Sequence, residues 1–307
     1  MTLPLILDTD IGTDVDDALA LALALRHPQI ELRAVTTVSG DSRRRAFIAA
    51  KLLRAAGRDD IEVAVGLGSE TGHPGGMGHE GVGILDDDEE IHVSERHAVE
   101  LLIDELVTGT GVCASPRLAT IGTQSNLAAA LTKAPDLVDA IPVLAVMGGV
   151  FAPLRLAGEE VPPSADVNLN LDPDASLRAL NAGIETLYVP LNVTNGVVIG
   201  PRHLERLRRG DDLCRALASL IDVWWPIMRR TTEGRSGEAV AVLHDPLTVA
   251  CLVDRDLVTS RRVPVTVARH NGVIRTFIDP VKGNEAEVIT SVDAAGFAEL
   301  WLESVLA

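Results

Sequence analysis

Aromatic side chains make up only 3% of this 307-residue chain. Its core must therefore be built from Ala, Val, Leu and Ile, and an aromatic beside a polar cluster needs an explanation. Positive charge is also short: 27 Lys and Arg stand against 44 Asp and Glu, a formal net charge of −17. That balance excludes a general nucleic-acid binder and a protein held on an anionic membrane, since both need a basic face. Cysteine is scarce. Cys113, Cys214 and Cys251 have no metal-type spacing, which reads as free thiols in a reducing compartment. No apolar run is long enough to cross a bilayer; the one at residues 18–25 is too short. The opening "MTLPLILDTD" has no basic segment leading into a long apolar one, so a cytoplasmic location is expected. Repeats, low-complexity segments and linkers are missing too. One domain over residues 1–307 is the expectation.

What is present is alternation. Strand-like "LPLILD", "ELRAVTTVSG", "IEVAVGLG", "RLATIG", "IPVLAVMGG" and "TLYVPLNV" alternate with helix-like stretches at 15–26, "SRRRAFIAAKLLRAAG", 94–108, "NLAAALTKA" and "DASLRALNAG", the last ending at Gly183. This is the pattern of right-handed βαβ units. The expected fold class is α/β: a mostly parallel, open, Rossmann-like sheet flanked by helices. Later segments read as elaboration. Residues 201–230 and "HDPLTVACLV" are helical. "RRVPVTVARHNGVIRTFID" is a hairpin turning at Asn271-Gly272, and "DAAGFAELWLESVL" is a closing helix.

Parallel α/β sheets bind ligands beyond the carboxyl ends of their strands. In this chain those ends carry Asp8-Thr9-Asp10, Ser39-Gly40-Asp41, Thr123-Gln124-Ser125-Asn126, Gly148-Gly149 and Asn192-Val193-Thr194. The first continues into Asp14, Asp16 and Asp17 directly before an apolar helix. Helix capping uses one or two of these five acids. Packed together, carboxylates resist joint ionisation, and a bound cation removes the conflict. Oxygen donors without thiolates or paired histidines point to Ca2+ or Mg2+. An EF-hand is a poor fit, because its Gly and Glu positions hold Thr13 and Leu19. Two further clusters stand out. In "LHDPLTVA", Asp245 reads as a helix cap before Pro246 or as a site acid, with His244 a candidate proton donor. In "ADVNLNLDPDAS", Asn168 and Asn170 are expected on one face of an extended segment, and Asp172 as a cap.

Taken together, "DTDIGTDVDD", "TTVSGD", "GHEGVG", "IGTQSNLAAAL", "VMGGV", "ADVNLNLDP" and "HDPL" resemble, in order, the blocks of the inosine–uridine preferring nucleoside hydrolase family from about Leu5 to Ala250. The resemblance implies water-driven cleavage of the N-glycosidic bond of a small-molecule ribonucleoside, giving ribose and free base, with bound Ca2+. It implies that Asp10 ligates the ion and acts as general base on the water the ion holds. Asp17, the carbonyl of Ser125 and Asp245 would complete the ligand set. Asp16 and Asn168 would bind the ribose, Asp8 and Asn126 would support from behind, and His244 would protonate the leaving base. Asp41, Asp166 and His79 join the expected substrate contacts, and Trp224 or Trp225 would stack on the base. Family members are often oligomers, so a homodimer or homotetramer is expected.

The chain also departs from the family pattern. The aspartate block carries two extra residues, Asp14 among them. Gly40-Asp41 replaces Gly-Asn. Asp166 replaces a Glu, and the Gly-Asn that usually follows "MGG" is not apparent. The last two changes touch recognition of the ribose 5′ end, so a modified sugar stays open, as does the choice between purine and pyrimidine. Two other readings were weighed. A haloacid-dehalogenase-type phosphohydrolase also begins D-x-D after a first strand, but Thr13 falls one place late and no Lys is well placed. A non-catalytic nucleoside or ribose binder would fit the altered 5′-end block.

Overall fold

The structure, a computed structural model, describes residues 2–68, 78–86, 89–108, 115–156, 159–231 and 238–307. Cys113 lies outside them. The first half is strict alternation: β1 (Leu3–Thr9), α1 (Asp16–Arg26), β2 (Ile30–Thr37), α2 (Ser42–Ala55), β3 (Glu62–Val65), α3 (Ala98–Thr108), β4 (Arg117–Thr120), α4 (Ser125–Lys133), α5 (Leu137–Ala140) and β5 (Leu144–Met147). A short ladder of β6 (Arg155–Leu156) and β7 (Glu159–Glu160) follows, then α6 (Val167–Asn170), α7 (Pro173–Leu180), β8 (Thr186–Val189) and α8 (Leu191–Thr194). After β9 (Val198–Ile199) come α9 (Pro201–Arg208), α10 (Asp212–Thr231), β10 (Ala241–Val242) and α11 (His244–Ala250). The chain ends with β11 (Val258–His270), β12 (Val273–Ile278), β13 (Asn284–Val292) and α12 (Ala294–Leu306).

Nine strands form one sheet in the order β12-β11-β13-β8-β5-β4-β1-β2-β3. Pairing is parallel from β3 through β13 and antiparallel only at β11 and β12. The chain runs outward from β1 through β2 and β3, then returns to build β4, β5 and β8 on the other side. The reversal leaves a crevice between the carboxyl ends of β1 and β4, where open sheets of this kind bind ligands. The hairpin turns at Asn271 and Gly272, whose φ values of 52° and 80° suit a tight two-residue turn. β13 was not anticipated. Its Ala286, Glu287 and Val288 pair with β8, so the hairpin extends the main sheet.

α1 is buried almost all round, from Asp16 through Ala24. Its Ala-Leu alternation lets it sit between the sheet and the helices α11 and α12. Trp301 on α12 is fully buried and its indole nitrogen donates to the Leu19 carbonyl at 3.1 Å. Cys214 and Cys251 are buried free thiols. No helix among the described residues is long and apolar enough to cross a membrane.

Three local expectations are corrected. α7 stops at Leu180, before Gly183. Pro190 ends β8, so Asn192 to Thr194 lie on the single turn α8 instead of in the strand. Residues 167–170 are the helical turn α6, capped by Asp166 through Leu169 N, instead of an extended segment. Asn168 and Asn170 therefore do not share a face: Asn170 bonds the β12 backbone at Ile274.

Candidate active site

Asp10, the first residue after β1, reaches the crevice and the chain then turns sharply. Gly12 takes φ +120°, a conformation side chains resist. Arg45 on α2 fixes this turn. Its guanidinium is buried and donates to the Asp10 carbonyl, to the Ile11 carbonyl at 2.9 Å, to Thr13 Oγ1 at 3.0 Å and to the Ser39 carbonyl at 2.9 Å. Gly122, just past β4, has no side chain because Asp10 occupies the space: a Cβ there would lie 2.9 Å from Asp10 Oδ1.

α1 starts immediately after this turn. Its N-cap position is Val15 and no side chain caps it. The capping reading of the acids therefore fails here, and Asp16 and Asp17 are buried in the first turn. Asp245 is likewise no cap: α11 begins at His244 with Leu243 before it and no side-chain cap bond. Carboxylate oxygens of Asp16, Asp17 and Asp245 lie within 4.8 Å of one another. Burial is the largest influence on all three and pushes each carboxyl well above its usual range; mutual repulsion, with that of Asp10 and Asp14, adds to it. Asp10 is raised for the same reason and relieved in part by Arg45. Thr9 Oγ1 donates to Asp17 Oδ1 at 2.5 Å. One buried guanidinium does not balance this many acids, so the donor set suits a hard divalent cation.

A second layer stands behind. Asp8 Oδ1 accepts from Thr36 Oγ1 at 2.6 Å and from Asn126 Nδ2 at 2.8 Å, and burial pushes its carboxyl up to about 7. Asn126 also donates to the Thr37 carbonyl and accepts from Leu67 N. Ser125 opens α4, with its hydroxyl on Asp172 Oδ2 at 2.6 Å and on Thr123.

In front lies a cavity of about 310 Å3, the size of a small-molecule site. Asp10, Asp14, Asp16, Asp17 and Asp245 line one side. Asn168 lines another; its Nδ2 is held by the Ile121 carbonyl at 2.8 Å and the Met147 carbonyl at 3.2 Å, the ends of β4 and β5. Among the described residues its Oδ1 makes no hydrogen bond. Asp166 accepts from Gly149 N at 2.6 Å and Leu169 N at 3.2 Å, and burial pushes its carboxyl up to about 6. His244 lines the cavity with Nδ1 against Thr194 Oγ1 at 2.7 Å.

The two tryptophans part company. Trp224 is buried and lines the cavity, with His79 stacked on it at 5.7 Å. Trp225 does not line it; it is half-buried against the core and lies under the Arg229 guanidinium at 5.6 Å. Asp41 is exposed and caps α2 through Arg44 N at 2.9 Å, outside the cavity wall. Ser125 also lies off that wall. Residues not anticipated include Arg45, Thr13, Leu191 and Asn195. The last three line the cavity; Thr13 lies in the turn after β1, and Leu191 and Asn195 bracket the helical turn after β8.

A switch-point crevice, a buried carboxylate set and an amide-bearing wall together make an acid-rich small-molecule site on an open α/β sheet. Residues 5–299 match the inosine-uridine preferring nucleoside hydrolase family, and the chain belongs to that family. It is 30% identical to a pyrimidine-specific ribonucleoside hydrolase, RihA, of Salmonella gallinarum, over 99% of this chain and 98% of that protein. A plant nucleoside hydrolase, PpNRh1, superposes with a TM-score of 0.83 at 26% identity over the whole of both chains. A purine-preferring ribonucleoside hydrolase from Gardnerella vaginalis gives 0.80 at 26% identity over 98% of each. The protein is thus a hydrolase acting on N-glycosyl compounds, of a metal-dependent family. Neither the phosphohydrolase nor the non-catalytic reading finds support in these similarities.

Proposed function

We propose that the chain hydrolyses the N-glycosidic bond of free ribonucleosides with Ca2+ held by Asp10, Asp17, Asp245 and the Ser125 carbonyl. The observation that carries this reading is the buried set of Asp16, Asp17 and Asp245 at the head of a nucleoside-sized cavity. When bound, the ion supplies the positive charge that lets these acids ionise together, and it makes a nearby water more acidic. Asp10 accepts the proton of the attacking water. Asp16 takes a ribose hydroxyl, and Asn168 presents Oδ1 to the sugar. As the C–N bond breaks, positive charge builds on the ribosyl ring and the surrounding carboxylates stabilise it. His244, oriented by Thr194, gives a proton to the departing base. Asp166 has both oxygens on backbone amides, so its part is to hold α6 against β5 at the edge of the sugar space.

The test is a panel of purine and pyrimidine nucleosides assayed for release of reducing sugar. Wild type is expected to release ribose, and Asp10→Ala is expected to lower kcat by about 10²–10⁴-fold with its fold intact. No release from any nucleoside would overturn the reading.

A further inference from the structure

The turn α6 sorts its side chains. Its polar residues are used by the protein. Asn170 donates to the Asp166 carbonyl at 2.9 Å and accepts from Ile274 N at 2.8 Å. Asp166 has both carboxylate oxygens on the amides of Gly149 and Leu169. Its apolar residues meet the ligand space. Leu171 N donates to the Val167 carbonyl at 2.9 Å, which sets these two side chains one turn apart on the same face. Both line the cavity and both are exposed, Val167 at 54% and Leu171 at 37%. Ala165, Met147 and Leu191 line it with them. The nearby amide of Asn195 gives its Nδ2 to the Arg155 carbonyl at 2.9 Å. No Lys or Arg is among the described residues of the cavity wall.

The helical turn α8 relates this apolar wall to the rest of the site. At its start, Leu191 N donates to the Gly149 carbonyl at 3.0 Å, beside Asp166; at its end, Thr194 holds His244. β4 separates β5 from β1 in the sheet, so the wall at the end of β5 stands along the strand ends from the acids. A nucleoside with its ribose hydroxyls at the acids and its base at His244 has one substituent left, at C5′. The base and C5′ leave the same face of the sugar, on opposite sides of the ring oxygen. With the base at the Thr194 end of α8, C5′ is directed to the Leu191 end.

We propose that this wall receives an apolar group on C5′ and that the preferred substrates are 5′-deoxy- and 5′-alkylthio-nucleosides. This rests on the nucleoside-hydrolase reading above. A 5′-hydroxyl against Val167 and Leu171 would leave water without a side-chain partner, whereas an alkylthio group would cover both residues. A 5′-phosphate would face the acids with no cation on the wall to offset them. The reaction is unchanged. A water oxygen adds to C1′, the C–N bond breaks with its electron pair on the base, and the base takes up a proton. The sugar released is 5-deoxyribose or a 5-alkylthioribose.

Wild type is assayed by reducing-sugar release on substrates that share a base: the parent nucleoside, its 5′-deoxy form and its 5′-methylthio form. An adenine and a uracil series are both run, and the series that is cleaved is read. The proposal expects kcat/KM on the methylthio compound to exceed that on the parent about tenfold, mainly through KM. Leu171→Gln is expected to cut this ratio about fivefold, and Leu171→Met, which keeps the wall apolar, to hold it within about twofold. Because each ratio is taken within one protein, a general loss of activity does not mimic the effect. A wild-type ratio below about threefold would overturn the proposal. An unchanged ratio in Leu171→Gln, with or without a shift in the choice of base, would take the wall away from C5′ and overturn it as well. A wild type that cleaves neither parent nor substituted nucleosides would defeat the hydrolase reading instead.

Discussion

The acid side of the cavity and the wall around Trp224 are built in different ways. The acids arise at the ends and beginnings of sheet-packed elements, β1, α1 and α11, and buried hydrogen bonds brace Asp8, Asp17 and the Asp10 backbone. Arg45, Thr9, Asn126 and Thr36 all serve that bracing. The Trp224 wall comes from α10 and a Gly-rich segment that belong to no strand; Trp224 packs into the main hydrophobic core, and the Gly-rich segment is tied down by the His79 ring contact and hydrogen bonds to backbone carbonyls. The acids are thus carried by the sheet and the helices packed on it, while the opposite wall is supplied by elements outside the strands. The relatives fit this division: one is named pyrimidine-specific and another purine-preferring.

Breaking the brace tests the rigid side hardest. Arg45→Leu leaves the turn carbonyls unpaired and removes the charge that eases Asp10 and Asp17. A loss of about 3–5 kcal/mol in urea unfolding is expected, against little change for an exposed arginine such as Arg230. A smaller effect concerns Asp166. Its carboxyl stands at about 6 in the folded chain against an ordinary 3.8. The folded state therefore holds the proton more tightly. The group's stabilising contribution is complete below about pH 4 and is lost as pH rises through 6, a swing of roughly 3 kcal/mol. The stability difference between wild type and Asp166→Asn, measured by denaturant at pH 4 and pH 7, is expected to move by that amount in favour of the variant at pH 7. The smallest effect sharpens the contrast between adjacent tryptophans. Trp225 is half-buried and packs on the core, so the test is Trp225→Phe, which keeps a ring there and weakens the cation–π contact with Arg229; it is expected to cost about 1 kcal/mol or less and leave kcat/KM within about twofold.

Much of the acid side is legible in the sequence because five aspartates after an apolar strand conflict with any purely structural use. The alternation of strands and helices then tells which edge they share. Arg45 is not legible: in "SRRRAF" it looks like its two solvated neighbours, and only the packing of α2 over the β1 turn buries it. Asn168 is legible as a residue type but not in its conformation, since Asp166 caps a helical turn where alternation with leucines suggests a strand. Asp41 shows the converse. It stands at a strand end, as a site acid should, yet the local chain uses it as a helix cap. Choosing between Trp224 and Trp225 required the helix phase, which puts neighbours about 100° apart.

The most direct test of the central claim is nucleoside hydrolysis by the wild-type protein before and after removal of divalent cations, followed by titration with Ca2+. The account predicts loss of nearly all ribose release on chelation, recovery on adding Ca2+, and no recovery in Asp245→Asn at the same ion concentration. Full activity in the metal-free protein would contradict it.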